Sequence, residues 1–193
     1  KINPMYPYAF TKWQAEELIM HWVKIYNFPA ISIRFFNAYG PRSRTSGAYG
    51  AVFGVFLAQK LANKPLTIVG NGNQTRDFIH VYDLVSGIIK AALSSKAGEV
   101  YNIGGGKETK VNKITKLIGG KKVHIPKRPG EPSRSLADIS KIKKDLNWQP
   151  KIKIEEGVKN LLSKIHYWKD APVWTPKGIK KETKTWFKLL GGK

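Results

Sequence analysis

Short β-rich runs alternate with amphipathic helical segments along this 193-residue chain, and this alternation constrains the fold more than any other feature. The runs predicted to be strands are 30–36, 65–69, 99–103 and 122–125. Helical periodicity and capping residues predict helices at 8–27, 51–63, 84–94, 111–118, 138–145, 154–169 and 176–189. Because alternating strands and helices are usually joined by crossovers, we expect an α/β fold with mainly parallel strand pairing.

The first predicted helix carries a tyrosine and a lysine four residues apart, Tyr8 and Lys12, so both side chains share one face. A lysine cation nearby stabilises a phenolate, and such a pair can exchange a proton with an alcohol or a ketone. About one pair at this spacing is expected by chance in this composition. The pair alone is therefore explained more simply as a helix start with an exposed lysine.

Composition excludes several classes of site. The chain has no cysteine, which rules out disulfides, thiol chemistry and a cysteine metal site, and we predict no metal centre. The absence of cysteine fits a cytoplasmic location, which we therefore expect. No apolar run approaches the roughly 18 residues that span a bilayer, so we expect no membrane partner.

The net charge of +21 permits binding to nucleic acid through its phosphates. The lysines, however, are spread along the chain and alternate with apolar residues at helical spacing, which is typical of solvated helix faces. A basic nucleic-acid-binding module is therefore the least favoured interpretation, and we expect no nucleic-acid partner.

Polar residues in the predicted loops are candidates for binding a ligand. Asn37 follows the strand 30–36, where open α/β sheets bind ligands. Arg76 could hold a phosphate, and Arg128 and Glu131 share a proline-rich turn that could bind a phosphate and a sugar hydroxyl. The structural alternatives are a turn-forming asparagine, an ion pair between Arg76 and a neighbouring aspartate, and a local ion pair within the turn.

Three further residues or loops have structural interpretations. Asp83 is predicted to cap the helix 84–94. The spacing of Gly104–Gly106 matches no dinucleotide fingerprint, which favours a plain turn. Trp186 and Phe187 are expected to dock the last helix.

Six stretches appear in the order and approximate spacing of one known family. They are Tyr8-x-x-x-Lys12, Arg34–Arg42, Ile68–Asp83, Tyr101–Gly104, Arg128–Glu131 and Ala137–Pro150. Together they resemble the extended short-chain dehydrogenase/reductase family, specifically its nucleotide-sugar epimerases and dehydratases. Within that family the chain looks most similar to UDP-glucose 4-epimerase-like enzymes.

The resemblance implies the C-terminal part of a Rossmann-like parallel sheet plus a small α/β substrate-binding domain. Residues 1–48 would be a remnant of the NAD-binding domain. Residues 49–170 would be mostly the nucleotide-sugar-binding domain, with strands that return to the sheet, and 171–193 a helical extension. The glycine-rich dinucleotide loop of the family has no match here, so we expect a C-terminal portion that is inactive alone.

The resemblance also implies roles on the cofactor side. Tyr8 would be the catalytic acid/base, taking the proton of the sugar hydroxyl as hydride moves to NAD. Lys12 would lower the pKa of Tyr8 and bind the nicotinamide ribose, which Tyr8 would also approach. Phe36 and Tyr39 would lie beside the nicotinamide.

On the substrate side, the partner implied is a nucleotide-diphosphate sugar, with a UDP-sugar favoured. Asn37, Arg76 and Arg128 would contact its diphosphate, and Glu131 would face the nucleotide ribose. The loop 47–54 would border the nucleotide.

The reaction implied is epimerisation through transient oxidation at C4 of the sugar. The alternatives are a 4,6-dehydratase or a reductase of the same family, and a nucleotide-sugar-binding fragment without catalysis. The resemblance further implies a homodimer through the Tyr8 helix, whose Trp13 and Trp22 would suit an interface.

Overall fold

The computed structural model describes residues 2–4, 7–43, 45 and 52–191. Within these residues, seven strands lie between the helices, most of them in consecutive pairs: β1 (Ile31–Phe35), β2 (Asn37–Tyr39), β3 (Leu66–Val69), β4 (Thr75–His80), β5 (Glu99–Ile103), β6 (Glu108–Lys110) and β7 (Lys122–Ile125). The helices are α1 (Pro7–Tyr26), α2 (Val52–Leu61), α3 (Val81–Ala92), α4 (Val111–Ile118), α5 (Ser140–Leu146), α6 (Ile154–Ser163), α7 (Pro176–Glu182) and α8 (Lys184–Leu190). A 3₁₀ turn, Ile165–Trp168, follows α6.

Strand pairing is mainly parallel, as predicted. β1 pairs with β5, β2 with β4 and β3 with β7, all in parallel, whereas β4 and β6 are antiparallel. Phe36 separates β1 from β2, and its N–H donates to the carbonyl of Ile103. The chain therefore leaves its pairing with β5 at this residue and enters its pairing with β4.

Two clusters of buried apolar residues support these strands. One lies among α2, α4, α6 and strands β2, β3 and β4, and its largest members include Tyr39, Phe53 and Phe56. The other lies among α3, α5 and strands β1 and β5, around Tyr101 and Trp148. The second cluster packs against the paired strands β1 and β5, and the first underlies the candidate site.

Most predicted elements are confirmed, with local differences in extent. The predicted helix 154–169 ends at Ser163 and continues as the 3₁₀ turn, and the predicted helix 176–189 is divided at Thr183 into α7 and α8. Trp186 docks α8, since its indole N–H donates to the carbonyl of Pro129 at 3.0 Å. Of the predicted ligand-bordering loop at 47–54, residues 47–51 lie outside the described residues, and 52–54 form the start of α2.

The predicted cap of α3 is wrong, because His80 takes that position. His80 has extended backbone angles and its Nδ1 accepts the N–H of Tyr82 at 3.3 Å. Asp83 lies one turn further, inside the helix. Its carboxylate accepts the backbone N–H groups of Lys151 and Ile152, and so it fixes a distant loop to α3.

The glycines at 104–106 form a structural turn around a buried carboxylate. Asp77 accepts the N–H groups of Gly105, Gly106 and Ala137 at 2.5–3.0 Å. A Cβ at Gly105 would come within 2.5 Å of the carbonyl oxygen of Phe78, which excludes a side chain there. The turn therefore has a packing reason for its glycines.

Helix α1 lies on the surface of the described chain. Glu16 joins it to β1 through hydrogen bonds from Ser32 and Arg34. None of its residues is buried, and the apolar side chains of Leu18 and Trp22 are exposed. None of the helices in the described part of the chain has the length and apolar character needed to cross a membrane.

We predict that acidification destabilises the fold through His80. Burial lowers the pKa of this histidine below its ordinary value, and the opposing carboxylates of Asp83 and Glu156 have a smaller effect. The unfolded state then binds more protons than the folded state, so stability is lost as pH falls below the ordinary histidine pKa of about 6.5. Protonation of Nδ1 would also remove the cap of α3.

Urea unfolding at about pH 7.5 and about pH 5.5 checks this prediction against the ordinary histidine pKa. The free energy of unfolding should fall on acidification, and it should fall less in His80→Asn, which keeps a capping acceptor without a titrating ring. An equal pH dependence in both proteins would contradict it.

Candidate functional site

A cavity of about 240 Å³ lies between β2, β3, β4, the turn after β7 and the segment that carries α7. The four residues predicted from the sequence to contact a nucleotide sugar all line it, namely Asn37, Arg76, Arg128 and Glu131. These residues are up to 94 positions apart in the chain, from 37 to 131. The fold therefore brings the predicted substrate-side residues together at one cavity.

The polar wall of the cavity holds a carboxylate between two guanidinium groups. Arg128 Nη1 lies 2.9 Å from Glu131 Oε1, and Arg76 Nη2 lies 3.9 Å from Glu131 Oε2. All three side chains are largely buried. Two cations and one anion leave this wall with a formal charge of +1, which favours an anionic ligand.

Backbone hydrogen bonds on both sides hold this charged wall. Arg76 lies on β4, and its Nη1 donates to the backbone carbonyl of Thr75. The backbone N–H of Thr75 donates to the carbonyl of Ser133 at 3.0 Å. Gly130 adopts a φ of +76°, which favours glycine at this position of the turn. The predicted local ion pair thus exists, on a turn that is fixed relative to β4.

The alternative interpretation of Arg76, an ion pair with a neighbouring aspartate, is wrong. Asp77 binds backbone N–H groups, and Asp83 binds the loop after α5, so neither pairs with Arg76. Asn37 also differs slightly from expectation, because it begins β2 opposite Phe78 of β4 and does not simply follow a strand end. Its side chain stays exposed, next to the cavity.

Tyr8 and Lys12 lie on an open surface outside this cavity. The Lys12 ammonium lies 5.5 Å from the centre of the Tyr8 ring, so the two side chains do share one helix face. Tyr8 is 74% exposed. A phenol and an ammonium so placed offer a proton-exchanging group and a cation to a molecule that approaches α1.

The two remaining predicted cofactor residues lie in different surroundings. Phe36 is half-buried between β1 and β2. Tyr39 is 2% exposed and stacks on Phe53 at 4.5 Å between ring centres. Burial raises the pKa of Tyr39, and a side chain at Gly157 would clash with its hydroxyl. Contact of Tyr39 with a nicotinamide stays a prediction, and its packing in the core does not favour it.

Sequence reasoning missed a buried glutamine that shapes the cavity. Gln59 on α2 is fully buried, its Oε1 accepts the N–H of Thr67, and its Nε2 donates to Thr67 Oγ1 and to the carbonyl of Trp174. Thr67 and Trp174 both line the cavity. The only signal in the sequence is a glutamine within an otherwise apolar helical run, 52–58 followed by Leu61.

Gln59→Leu should lower the free energy of unfolding by about 1–3 kcal/mol, because it leaves the buried N–H of Thr67 and carbonyl of Trp174 without this partner. Urea denaturation measures the change. Gln14→Leu, the same substitution at an exposed position of α1, is the matched control and should change stability by less than about 0.5 kcal/mol. Equal effects of the two substitutions would argue against the buried network.

Comparisons with known proteins identify the relatives of this arrangement. A family model described as GDP-mannose 4,6 dehydratase matches residues 1–161. A UDP-glucose epimerase of Bacillus subtilis, itself uncharacterized, is 38% identical over 82% of this chain and 51% of its own length. A putative UDP-glucose 4-epimerase of Methanocaldococcus jannaschii is 36% identical over 84% of this chain and 54% of its own.

The solved structures that resemble this chain also include UDP-sugar 4-epimerases. The UDP-glucuronic acid 4-epimerase of Bacillus cereus, in complex with UDP-glucuronic acid and NAD, superposes with a TM-score of 0.78 at 33% identity, over 89% of this chain and 55% of that one. The UDP-glucose 4-epimerase of Thermotoga maritima, with UDP-glucose, gives 0.79 at 31% identity, over 87% and 55%. This chain spans about half the length of the relatives it matches.

Proposed function

This chain belongs to the nucleotide-sugar epimerase and dehydratase branch of the extended short-chain dehydrogenase/reductase family, and from that premise we propose that it is the C-terminal portion of an NAD-dependent nucleotide-sugar epimerase. The observation that carries the proposal is the cavity at which Asn37, Arg76, Arg128 and Glu131 meet. The sequence resemblance implied a substrate role for each of them separately. Their convergence on one cavity supports a common ligand.

The ligand that suits this wall is a nucleoside diphosphate. Arg76 and Arg128 present guanidinium groups, which pair well with phosphate oxygens because of their planar, forked donors. Glu131 holds both arginines and has the acceptor oxygens that a ribose hydroxyl would need. At about 240 Å³ the cavity is smaller than the roughly 300–1,000 Å³ of complete ligand sites. We infer that it takes the nucleotide part, with the sugar outside it.

The proton chemistry would fall to the exposed pair on α1. Tyr8 Oη would take the proton of the sugar C4 hydroxyl, and the Lys12 ammonium would stabilise the phenolate. When bound, NAD would accept the hydride from C4 and return it to the other face of the rotated ketosugar. The pair fits the nicotinamide end of the cofactor, since a phenol and an ammonium can bind ribose hydroxyls. The glycines at 104–106 are already occupied by Asp77 and do not offer a diphosphate loop.

A dehydratase is the second candidate. The family model that matches carries a dehydratase description, and the dTDP-glucose 4,6-dehydratase of Escherichia coli is 29% identical over 89% of this chain. Three relatives named as UDP-sugar epimerases are more similar, at 36–38% identity, and another is 31% identical, which favours epimerisation and a UDP-sugar. The homodimer through α1 and the cytoplasmic location remain predictions.

We predict that the 193-residue chain binds UDP through the two cavity arginines. Arg128→Gln should weaken UDP binding by about 10–100-fold, because a charge-assisted hydrogen bond contributes roughly 1.5–3 kcal/mol. Isothermal titration calorimetry measures the affinity. Arg134→Gln is the matched control, because Arg134 is exposed and pairs with Glu108 away from the cavity. UDP binding that is absent, or that is unaffected by Arg128→Gln, would contradict the assignment.

A second prediction concerns Tyr8 in the complete enzyme of which we propose this chain to be the C-terminal portion. Tyr8→Phe removes the exchangeable proton and should reduce turnover below about one hundredth of wild type, within the usual contribution of acid–base catalysis. Binding of the nucleotide sugar should remain nearly intact. Tyr26→Phe, at another exposed position of α1, should leave turnover unchanged. Turnover of Tyr8→Phe above that fraction would refute the acid/base role.

Titration with NAD distinguishes an enzyme from a binding fragment. We expect the isolated chain to bind UDP but to bind NAD only weakly, because it offers just the nicotinamide end of a cofactor site. Micromolar binding of NAD by this chain alone would refute the fragment interpretation.

A further inference from the structure

The segment after the family-matched region forms part of the cavity wall. The family match ends at residue 161, yet Trp174 and Ile179 line the same cavity as Arg76 and Arg128. Ile179 lies on α7 and is buried. The C-terminal segment is therefore built into the candidate site.

Two hydrogen bonds fix Trp174 at both its backbone and its side chain. Its carbonyl accepts from Nε2 of the fully buried Gln59 at 2.6 Å. Its indole Nε1–H donates to the carbonyl of Thr45 at 2.9 Å. Because its only side-chain donor is already bonded, the indole has no further hydrogen bond to offer a ligand and would interact through its apolar ring.

The helices that follow Trp174 are also anchored next to the charged wall. Thr175 caps α7, since its Oγ1 accepts the N–H of Gly178 at 3.2 Å, and Pro176 occupies the first turn. Trp186 on α8 binds the carbonyl of Pro129, within the turn that carries Arg128. The segment that follows Trp174 is thus attached to the turn that carries Arg128.

The cavity lining combines two chemically different kinds of surface. Arg76, Arg128 and Glu131 are charged and lie next to one another, whereas Trp174, Ile179 and Val69 contribute aromatic and aliphatic surface. A nucleoside diphosphate has the same two-part character, with an anionic diphosphate and a flat base whose faces are apolar. An aromatic ring beside a base typically contributes about 1–3 kcal/mol by stacking.

We propose that Trp174 is the residue that contacts the nucleobase, and that Gln59 is the residue that positions it. The inference rests on the proposed function, because it assumes that a nucleoside diphosphate occupies the cavity. Stacking tolerates every base, since each has a π face. Trp174 therefore distinguishes a nucleotide from a free diphosphate and contributes little to the choice of base.

Calorimetric titration of the 193-residue chain with UDP and with inorganic pyrophosphate tests this proposal. Trp174→Leu keeps an apolar side chain without an aromatic ring, and it should weaken UDP binding by about 5- to 100-fold, the range that follows from the usual value of base stacking. Pyrophosphate binding should stay within about twofold of wild type. Trp174→Phe should recover most of the affinity for UDP.

Trp22→Leu, the same substitution at a half-exposed tryptophan on α1, is the matched control and should change neither affinity. Thermal unfolding of each variant establishes that it is folded, and Trp174→Met, which also lacks an aromatic ring, takes the place of the leucine variant where that one is not. The folded ring-free variant and Trp174→Phe, compared with each other, then isolate the contribution of the aromatic ring.

The outcomes separate this inference from the proposed function. Wild-type UDP binding that Trp174→Leu leaves unchanged would overturn the role of Trp174 and keep the proposed function. Equal weakening of UDP and pyrophosphate would also overturn it, because it would show that Trp174 acts through the arginines. A wild-type chain that binds neither probe would overturn both.

Discussion

The carboxylate of Asp77 is the interaction on which the rest of the described structure depends. It is fully buried on β4 and accepts three backbone N–H groups, two from the turn after β5 and one from Ala137 before α5. Because side chains alternate along a strand, Arg76 beside it points to the opposite face, into the cavity. The same strand therefore fixes the glycine turn and presents the arginine.

The charged wall of the cavity follows from the cost of burying cations together. Arg76 and Arg128 are both largely buried, and two guanidinium groups at such a site repel each other. Glu131 lies between them and offsets part of this repulsion. The three charges sum formally to +1, which favours an anionic ligand.

The sequence predicted local features of this molecule well. The helices, strands β1, β3, β5 and β7 and the four polar residues of the cavity are predictable because period, turn chemistry and short motifs encode them within a few residues. Strands β2, β4 and β6 were not predicted, and Arg76 of β4 was expected in a loop. The features that it missed depend on partners far along the chain. Asp83 binds residues 68 and 69 positions away, and Gln59 binds Trp174 across 115 positions. No local pattern reports such pairs, so a helix cap was predicted where a tertiary contact exists.

The residues proposed for nucleotide binding and those proposed for proton transfer lie on different surfaces of this chain. The cavity is enclosed by β2, β3, β4, the turn with Arg128 and the segment with Trp174, all of which the described chain supplies. Tyr8 and Lys12 lie on a helix with no buried residue, and their faces are open to solvent. A catalytic pair needs water excluded from it to work well, whereas a diphosphate can be held by two fixed arginines at a partly open site. On this geometry, the proposed nucleotide binding would use contacts within the described chain, whereas the proposed acid–base catalysis would also need a surface that covers α1.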